Sequence, residues 1–284
     1  MDDSILVPII DRALDEDLPD ITSDAIFGAS EYGVARVIVK EDGVIAASRV
    51  IELTTKRLDS SSAVELLVSD GDDVAAGTVI ATVTGSVRSL LAAERTLLNL
   101  LQRASGVATF TRRYVRAIEG TGAEILDTRK TIPGLRLFDK AAVSIGGGSN
   151  HRLGLHDMFL IKDNHVDRAG SVRQAISRVR ESGLEHPLMI EVRTIEELDQ
   201  ALALEPDYIL LDNMDLETMT QAVRRRDGFG GRRPLLEASG GVRLDTVRQI
   251  ALTGVDRISV GSLTHSAPAL DISMKIVTSR ETQR

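Results

Sequence analysis

The chain has 284 residues, of which 43% are apolar and 27% charged, and its formal net charge is −8 at pH 7. A chain of this length can form one large domain or two modest ones with real cores. Its acidic balance and scarce aromatic residues argue against nucleic-acid or anionic-membrane partners. It has no cysteine, which excludes disulfides and thiolate chemistry. The apolar runs are too short to span a membrane and the start lacks a basic signal region, so we expect a cytoplasmic protein.

Residues 1–104 have the pattern of an α+β domain. Residues 32–48 alternate around Glu41-Asp42-Gly43, which predicts a hairpin. Residues 49–58 have helical spacing, residues 64–86 predict a series of strands and turns, and residues 90–120 predict one long helix. The strand series resembles half of a biotinyl or lipoyl carrier, but no lysine lies at its tip, so we do not expect a carrier.

Residues 105–266 alternate short apolar runs with helical segments, which predicts right-handed β-α-β units and a parallel sheet. Each run turns polar only at its C-terminal end, where a (β/α) barrel carries its active site. The number of units, without a GxGxxG motif after the first strand, favours a barrel over a doubly wound sheet. We expect residues 267–284 to form a final helix that packs on the N-terminal domain. The apolar runs are 123–130, 158–165, 188–193, 208–213, 234–241 and 257–262.

Cations are concentrated between Asp127 and Lys162, where six lysines and arginines face four aspartates in an otherwise acidic chain. Cations that lose water at strand ends are costly unless an anion joins them, so this cluster predicts an anionic ligand. The residues expected to meet that ligand are Arg129, Lys130, Arg152 and Lys162. We interpret Arg136 and Lys140 as solvated residues on a helix face.

Three consecutive glycines at residues 146–148 precede His151 and Arg152. Glycines let the backbone approach a ligand closely, and an arginine offers a bidentate fork suited to a carboxylate. A metal site made of His151, His156 and His165 is disfavoured, because their spacing matches no zinc pattern.

Two late strands end in glycine turns, at residues 239–241 and 260–262, and each turn precedes a helical segment. In barrels such turns commonly bind a phosphate through backbone N–H groups. Glu191 and Asp212 end neighbouring strands. They could bind Mg²⁺ or ribose hydroxyls, stabilise a sugar cation, or simply pair with Arg129 or Lys162. The arginine-rich residues 224–233 predict a helix end and a surface loop.

Taken together, several strings resemble those of the quinolinate phosphoribosyltransferase family, the decarboxylating nicotinate-nucleotide pyrophosphorylases. The resemblance implies an incomplete (β/α) barrel after an N-terminal α+β sandwich, and a homodimer whose site is shared between subunits. It also implies phosphoribosyl transfer to quinolinate from phosphoribosyl pyrophosphate, with Mg²⁺, giving nicotinate mononucleotide, pyrophosphate and CO₂. The strings are ERTLLNLLQRASGVAT, DTRKTIPGLR, GGGSNHRLGLHDMFLIKDNH, IEVRT, ILLDN, EASGG and SVGSLTHSAPALDISMKI.

The resemblance further implies roles for individual residues. Quinolinate would be bound by Arg129, His151, Arg152 and Lys162, with Arg95 of the partner subunit. The pyrophosphate, metal and ribose would be engaged by Lys130, Glu191 and Asp212. Of these, Glu191 and Asp212 would be the Mg²⁺ ligands. The expected catalytic residues are Lys130, Lys162, Glu191 and Asp212. The 5′-phosphate would lie against Ser239, Gly240, Gly241, Gly261 and Ser262. Ser262 stands where alanine is often expected, a change that a backbone contact tolerates.

Three other functions stay open on the sequence. A related branch associated with molybdenum transport shares the fold, but we expect it to differ at residues 162–165, KDNH, which are intact here. A Schiff-base aldolase would use Lys162 as its nucleophile. A non-catalytic binder would take up phosphoribosyl pyrophosphate without releasing pyrophosphate.

Overall fold

A computed structural model describes residues 1–277 of the chain. The chain divides into two compact units. The first unit comprises Met1–Arg112, Ile132–Gly147 and, of the C-terminal residues, 266–277. The second comprises Arg113–Thr131 and Gly148–His265.

Helices and strands follow one another closely along the chain. Up to residue 145 they are α1 (Asp3–Asp17), α2 (Ile21–Ile26), β1 (Tyr32–Val39), β2 (Gly43–Val44), α3 (Arg49–Leu58), β3 (Ala63–Leu66), β4 (Asp73–Val74), β5 (Val79–Ser86), α4 (Val87–Ala117), β6 (Glu124–Leu126) and α5 (Arg136–Ile145). They continue as β7 (Phe159–Ile161), α6 (Asp163–Ala169), α7 (Val172–Glu181), β8 (Leu188–Val192), α8 (Ile195–Leu202), β9 (Tyr208–Asp212), α9 (Leu216–Asp227), β10 (Leu235–Ser239), α10 (Val247–Leu252), β11 (Arg257–Ser259), α11 (Ser262–His265) and β12 (Ile272–Val277).

The first unit is built on a four-stranded sheet in the order β12-β1-β5-β3, and every pairing in it is antiparallel. The predicted helices at residues 49–58 and 90–120 are confirmed as α3 and α4. The predicted hairpin is wrong, because β1 pairs with β5 and β12 whereas β2 pairs with β4. The α+β character of the N-terminal part is confirmed.

The expected C-terminal helix is also wrong where the structure describes it, since residues 272–277 form strand β12. Ile272 and Met274 are buried while Lys275 is exposed, which is the two-residue period of a strand. The strand pairs along β1, with Val37 opposite Met274, so this segment completes the N-terminal sheet. The rest of that prediction, residues 278–284, lies outside the described residues.

The segment 132–147 belongs to the first unit, although the predicted boundary at residues 104–105 assigned it to the barrel. Two close contacts with α4 hold it there. Arg103 donates to the carboxylate of Asp139 at 3.0 Å, and a Cβ on Gly146 would lie 2.5 Å from the carbonyl oxygen of Ala108. The interpretation of Lys140 as solvated is wrong, because only 1% of its surface is exposed.

The second unit is a six-stranded sheet in the order β6-β11-β10-β9-β8-β7, and all its pairings are parallel. Strands β8, β9 and β10 are buried through their central residues, as expected for strands covered on both faces. β6 and β7 form the two edges of the sheet. The sheet is therefore an incomplete barrel, as predicted.

Capping side chains determine where the barrel helices begin. Ser171, Thr194 and Asp215 each accept a backbone N–H from the first turn of α7, α8 and α9. Thr194 and Asp215 lie two and three residues after β8 and β9, so α8 and α9 start close to the C-terminal ends of those strands, whereas Ser171 follows the short helix α6. Among residues 1–277, no helix has the length and apolarity that crossing a membrane requires.

Candidate active site

The polar residues predicted in the second unit lie at one edge of its sheet. Parallel strands bring their C-terminal ends together, and this edge is where barrel enzymes carry their sites. Asp212 and Ser239 are the last residues of β9 and β10, and they lie side by side in the strand register. The others at this edge are Arg129 and Lys130 after β6, Lys162 after β7, Glu191 within β8, and Gly261 and Ser262 after β11.

Arg129 and Arg152 lie close enough for their positive charges to act on each other. Burial, and next the positive charge of Arg129, lower the pKa of Arg152, with Asp157 acting weakly in the opposite direction. The Nε atom of Arg129 is buried and has no hydrogen-bond partner among residues 1–277. Two partly buried guanidinium groups that repel each other are stabilised by an anion placed between them. The pair therefore fits a negatively charged ligand.

The loop that carries Arg152 is held by hydrogen bonds at both ends. The backbone N–H of His151 donates to Oδ1 of the buried Asp127 at 2.8 Å. The backbone N–H of Arg152 donates to Nδ1 of His151 at 2.6 Å, and its guanidinium donates to the carbonyl of Met158 at 3.1 Å. These bonds fix the direction in which Arg152 leaves the backbone.

Glu237 is a functional candidate to which the sequence analysis gave no role. It is the third residue of β10, it is fully buried, and its Oε1 lies 3.3 Å from Nε2 of His151. Ser259, on the neighbouring strand β11, donates its hydroxyl to the same oxygen. The sequence does contain a sign of this role, since a glutamate stands between Leu236 and Ala238 in an apolar strand. Ionisable residues are rarely buried without a partner, so such a glutamate predicts a specific partner.

The carboxylates Glu191 and Asp212 are engaged by cations. Lys162 Nζ lies 3.4 Å from Glu191. Of the two cations that the sequence offered as partners for these carboxylates, Arg129 and Lys162, the structure pairs Lys162 with Glu191. The second cation is Arg193, which the sequence analysis did not assign to the site. Its guanidinium lies 2.5 Å from Asp163, 3.7 Å from Glu191 and 3.8 Å from Asp212. Glu191 and Arg193 are two residues apart, and residues at this spacing share one face of a strand.

The turn after β10 has a backbone that only glycine adopts easily. Gly240 and Gly241 have φ angles of +99° and +60°. A Cβ on Gly240 would lie 2.1 Å from Oδ1 of Asn213, so the turn after β9 packs directly against this one. The predicted phosphate turn therefore requires glycine at residue 240 for two reasons: its positive φ, and the absence of a Cβ that would clash with Asn213.

The turn after β11 lies against the loop after β6. A Cβ on Gly261 would lie 3.0 Å from Cδ of Lys130, and the Thr264 hydroxyl donates to the carbonyl of Lys130 at 2.8 Å. Ser262 begins the short helix α11, and its hydroxyl lies 3.5 Å from that of Tyr114. Lys130 and the second predicted phosphate turn are thus neighbours.

Arg95 and the three histidines considered as metal ligands need separate description. Arg95 lies on α4 in the first unit and is exposed, so its role remains a prediction about the dimer. Of the three histidines in the disfavoured metal set, His151 contacts Glu237, whereas Nδ1 of His165 accepts the backbone N–H of Lys162 at 3.0 Å. His156 is exposed beside Gly154.

An incomplete (β/α) barrel whose strand ends combine half-buried arginines, exposed lysines and glycine turns defines a class of enzyme that handles anionic, phosphorylated substrates. The chain matches two family models. "Quinolinate phosphoribosyl transferase, N-terminal domain" covers residues 20–105, and the C-terminal domain of the same family covers residues 107–275. The chain belongs to the quinolinate phosphoribosyltransferase family.

Individual relatives agree along nearly the whole chain. A Mycobacterium leprae protein named nicotinate-nucleotide pyrophosphorylase (carboxylating) is 46% identical, covering 94% of this chain and 95% of the relative. A Nicotiana tabacum protein named quinolinate phosphoribosyltransferase (decarboxylating) 2b, mitochondrial, is 42% identical, covering 96% and 82%. The solved structure of NadC from Streptococcus pyogenes has a TM-score of 0.92 at 36% identity, covering 98% and 99%.

Proposed function

We propose that this protein transfers the phosphoribosyl group of phosphoribosyl pyrophosphate to quinolinate, with decarboxylation, in the de novo synthesis of NAD. The products are nicotinate mononucleotide, pyrophosphate and CO₂. The names of the curated relatives support this reaction. The observation in the chain itself that carries it is the half-buried pair Arg129 and Arg152, whose mutual repulsion and whose buried, unpartnered Arg129 Nε atom call for an anion.

Quinolinate carries two adjacent carboxylates and is a dianion at neutral pH. Arg129 and Arg152 fit these carboxylates because a guanidinium binds a carboxylate through two parallel hydrogen bonds. Lys162 follows β7, the edge strand at the other side of the sheet from β6, and adds a third positive charge among the C-terminal strand ends. In this proposal the three cations fix the pyridine ring so that its nitrogen faces the sugar.

The phosphorylated substrate would lie along the two glycine turns. Ser239, Gly240 and Gly241 can present backbone N–H groups to the 5′-phosphate from one turn, and Gly261 and Ser262 from the other. Lys130, which adjoins Gly261, would then face the pyrophosphate. This arrangement puts the leaving group and the acceptor on the same edge of the barrel.

The residues present fit a magnesium ion that arrives with the substrate. No group of three or more His, Cys, Asp or Glu among residues 1–277 is arranged to hold a metal by itself. Mg²⁺ usually takes one or two protein carboxylates and completes its shell with substrate phosphates and water. Glu191 and Asp212 are the two carboxylates that would hold it. When bound, the ion adds positive charge beside the departing pyrophosphate.

The chemistry needs orientation and charge rather than a covalent nucleophile. The pyridine nitrogen forms a bond to C1′ while the bond from C1′ to the pyrophosphate oxygen breaks. The ring nitrogen is then quaternary and stabilises the electron pair left at C2 when the bond to the 2-carboxylate breaks. CO₂ leaves, and C2 takes up a proton. Lys130, Lys162 and the two arginines stabilise the negative charges in these steps.

The direct test is to incubate the protein with quinolinate, phosphoribosyl pyrophosphate and Mg²⁺ and to follow CO₂ and nicotinate mononucleotide. Both products must appear together and depend on the enzyme. Uptake of phosphoribosyl pyrophosphate without pyrophosphate release would instead identify a non-catalytic binder. A cytoplasmic location is part of the proposal, and fractionation of cells with an antibody to the chain would check it.

We also propose a homodimer in which Arg95 of the partner subunit completes each site. Arg95 is exposed on α4 beside the buried Thr96 and Leu97, so it is available to another molecule. Mixing inactive Arg95→Ala and Lys162→Ala chains should restore part of the activity, because a hybrid dimer holds one intact site. Mixing Arg95→Ala with the Arg95→Ala/Lys162→Ala double variant should restore none. Absence of recovery despite proven subunit exchange would contradict the shared site.

A further inference from the structure

A carboxylate lies beneath the arginine loop in a position where burial is expensive. Glu237 is fully buried between the buried residues Leu236 and Ala238. One of its oxygens, Oε1, meets both Ser259 and His151, while the other, Oε2, is buried with no hydrogen-bond partner among residues 1–277. A half-satisfied buried carboxylate costs stability, and such groups are typical of functional sites. The cost therefore points to a role beyond packing.

The hydrogen bonds around His151 define where its proton lies. Nδ1 accepts the backbone N–H of Arg152 at 2.6 Å, so Nδ1 carries no proton. The imidazole proton is then on Nε2, which lies 3.3 Å from Oε1 of Glu237. A carboxylate oxygen accepts this proton, whereas it would repel an unprotonated nitrogen. Glu237 thus favours the tautomer of His151 that can hold the Arg152 peptide.

We propose that Glu237 is a positioning residue for the binding of the acceptor substrate, and that it acts through His151. Its carboxylate selects the Nε2–H tautomer, this tautomer fixes the Arg152 peptide, and the fixed peptide aims the Arg152 guanidinium at the substrate carboxylates. The inference rests on the proposed function, since it concerns how quinolinate is bound. Glu237 itself touches neither substrate nor metal in this arrangement.

Two variants separate the hydrogen-bond acceptor from the space it fills. Glu237→Gln keeps a carbonyl oxygen that can accept from both Ser259 and His151, whereas Glu237→Ala removes every acceptor. Loss of the hydrogen-bond partner of a metal-binding histidine commonly lowers affinity or activity about 10- to 100-fold, and we use the same scale for His151. We therefore expect Glu237→Ala to raise the KM for quinolinate at least about tenfold and the KM for phosphoribosyl pyrophosphate less than about threefold. Glu237→Gln should stay near the unmodified protein in both.

The spectroscopic readout is the ¹⁵N spectrum of the histidine rings in the full-length protein, with the His151 signals identified by their loss in His151→Gln. His151 should show the Nε2–H tautomer in the unmodified protein and in Glu237→Gln, and a mixture of tautomers in Glu237→Ala. In the His151→Gln background, Glu237→Ala should cause little further change in the KM for quinolinate, because the two residues act in series.

Several results would overturn the inference. They are an Nδ1–H tautomer of His151 in the unmodified protein, additive effects of the two substitutions, or equal rises in both KM values in Glu237→Ala. The first of these does not depend on Glu237→Ala, so it decides the matter even if that variant does not fold. A protein that shows the expected tautomers but converts no quinolinate would contradict the proposed function instead.

Discussion

Lys162, just after β7, and Glu191, near the end of the adjacent strand β8, form an ion pair of 3.4 Å, with the lysine 49% exposed and the glutamate 9% exposed. The pair keeps a cation at the edge where the substrate carboxylates would bind. We expect Lys162→Ala to lower kcat at least about 100-fold, the scale of losing one charge-stabilising group. Steady-state assays with saturating phosphoribosyl pyrophosphate would measure this.

Lys56 is the matched control for Lys162. It also pairs with a glutamate, Glu52, at 2.7 Å and is also 49% exposed, but it lies on α3 in the first unit. Lys56→Ala should leave kcat unchanged. If Lys162→Ala turned over at a nearly normal rate, the assignment of Lys162 to the site would be wrong.

Gly240→Ala should weaken the use of phosphoribosyl pyrophosphate. The added Cβ would lie 2.1 Å from Asn213 Oδ1, and residue 240 has a φ of +99°. Either the turn or Asn213 must move, so the predicted phosphate-binding N–H groups lose their alignment. We expect kcat/KM for phosphoribosyl pyrophosphate to fall at least about tenfold, consistent with strain of about 1–3 kcal/mol.

Gly77→Ala is the control that separates clash from backbone strain. Gly77 has a φ of +88°, yet a Cβ there would meet no atom within 4 Å. This variant should lose some stability in thermal unfolding but keep its kcat/KM. Equal kinetic losses in both variants would contradict a local effect at Gly240.

Arg193→Gln should strengthen binding of a divalent cation. Three carboxylates, those of Asp163, Glu191 and Asp212, share the Arg193 guanidinium as a counter-ion. Removing this charge leaves Glu191 and Asp212 more negative, so Mn²⁺, used as a probe for Mg²⁺, should bind about three- to tenfold more tightly in the presence of pyrophosphate. Titration followed by electron paramagnetic resonance measures free Mn²⁺ directly.

The comparison variant is Arg225→Gln, which removes an arginine of similar exposure that pairs with Asp199 at 3.5 Å. Its Mn²⁺ affinity should equal that of the unmodified protein. Unchanged or weaker binding in Arg193→Gln would mean that Arg193 does not compete with a cation for these carboxylates.

The barrel and most of its site could be predicted because their signals are local. Each strand is a short apolar run, and the sheet order follows from short right-handed crossovers. Strand ends then place Lys162, Asp212 and Ser239 at one edge without any knowledge of side-chain contacts. Arg193 and Glu237 could be noted as polar residues near strand ends but given no role, because their importance lies in partners on other strands, which periodicity does not reveal.

The C-terminal strand shows where local signals fail. Ile272, Met274 and Ile276 alternate with polar residues, which is the period of a strand, but the run is only six residues long. Its partner is β1, more than 230 residues earlier in the sequence. Lys140 is a similar case, since its burial follows from the packing of α5 rather than from any charge pattern.

Arg103→Ala should destabilise the first unit. Asp139 is fully buried and accepts three hydrogen bonds from Arg103, at 3.0 and 3.1 Å on Oδ1 and at 3.1 Å on Oδ2. Removing one partner of a buried ion pair typically costs about 3–5 kcal/mol, because the other charge is left uncompensated. Chemical denaturation at pH 7 would measure the loss. Arg57→Ala, which breaks the exposed pair with Asp11, should cost about 1 kcal/mol or less.

The loss in Arg103→Ala should depend on pH. Burial raises the pKa of Asp139 above its usual 3.8, although Arg103 and the Ile132 N–H oppose the shift. Without Arg103 the folded-state pKa rises further, and a carboxyl with a raised folded pKa favours folding only while it is protonated. The loss of unfolding free energy in Arg103→Ala should therefore be small below the pKa that Asp139 has in the unfolded chain. It should grow as the pH rises through the pKa of Asp139 in the folded variant and be complete at pH 7. Adding Asp139→Asn should remove this pH dependence, and a deficit that stayed constant between pH 4 and pH 7 would show that the lost charge pairing is not its cause.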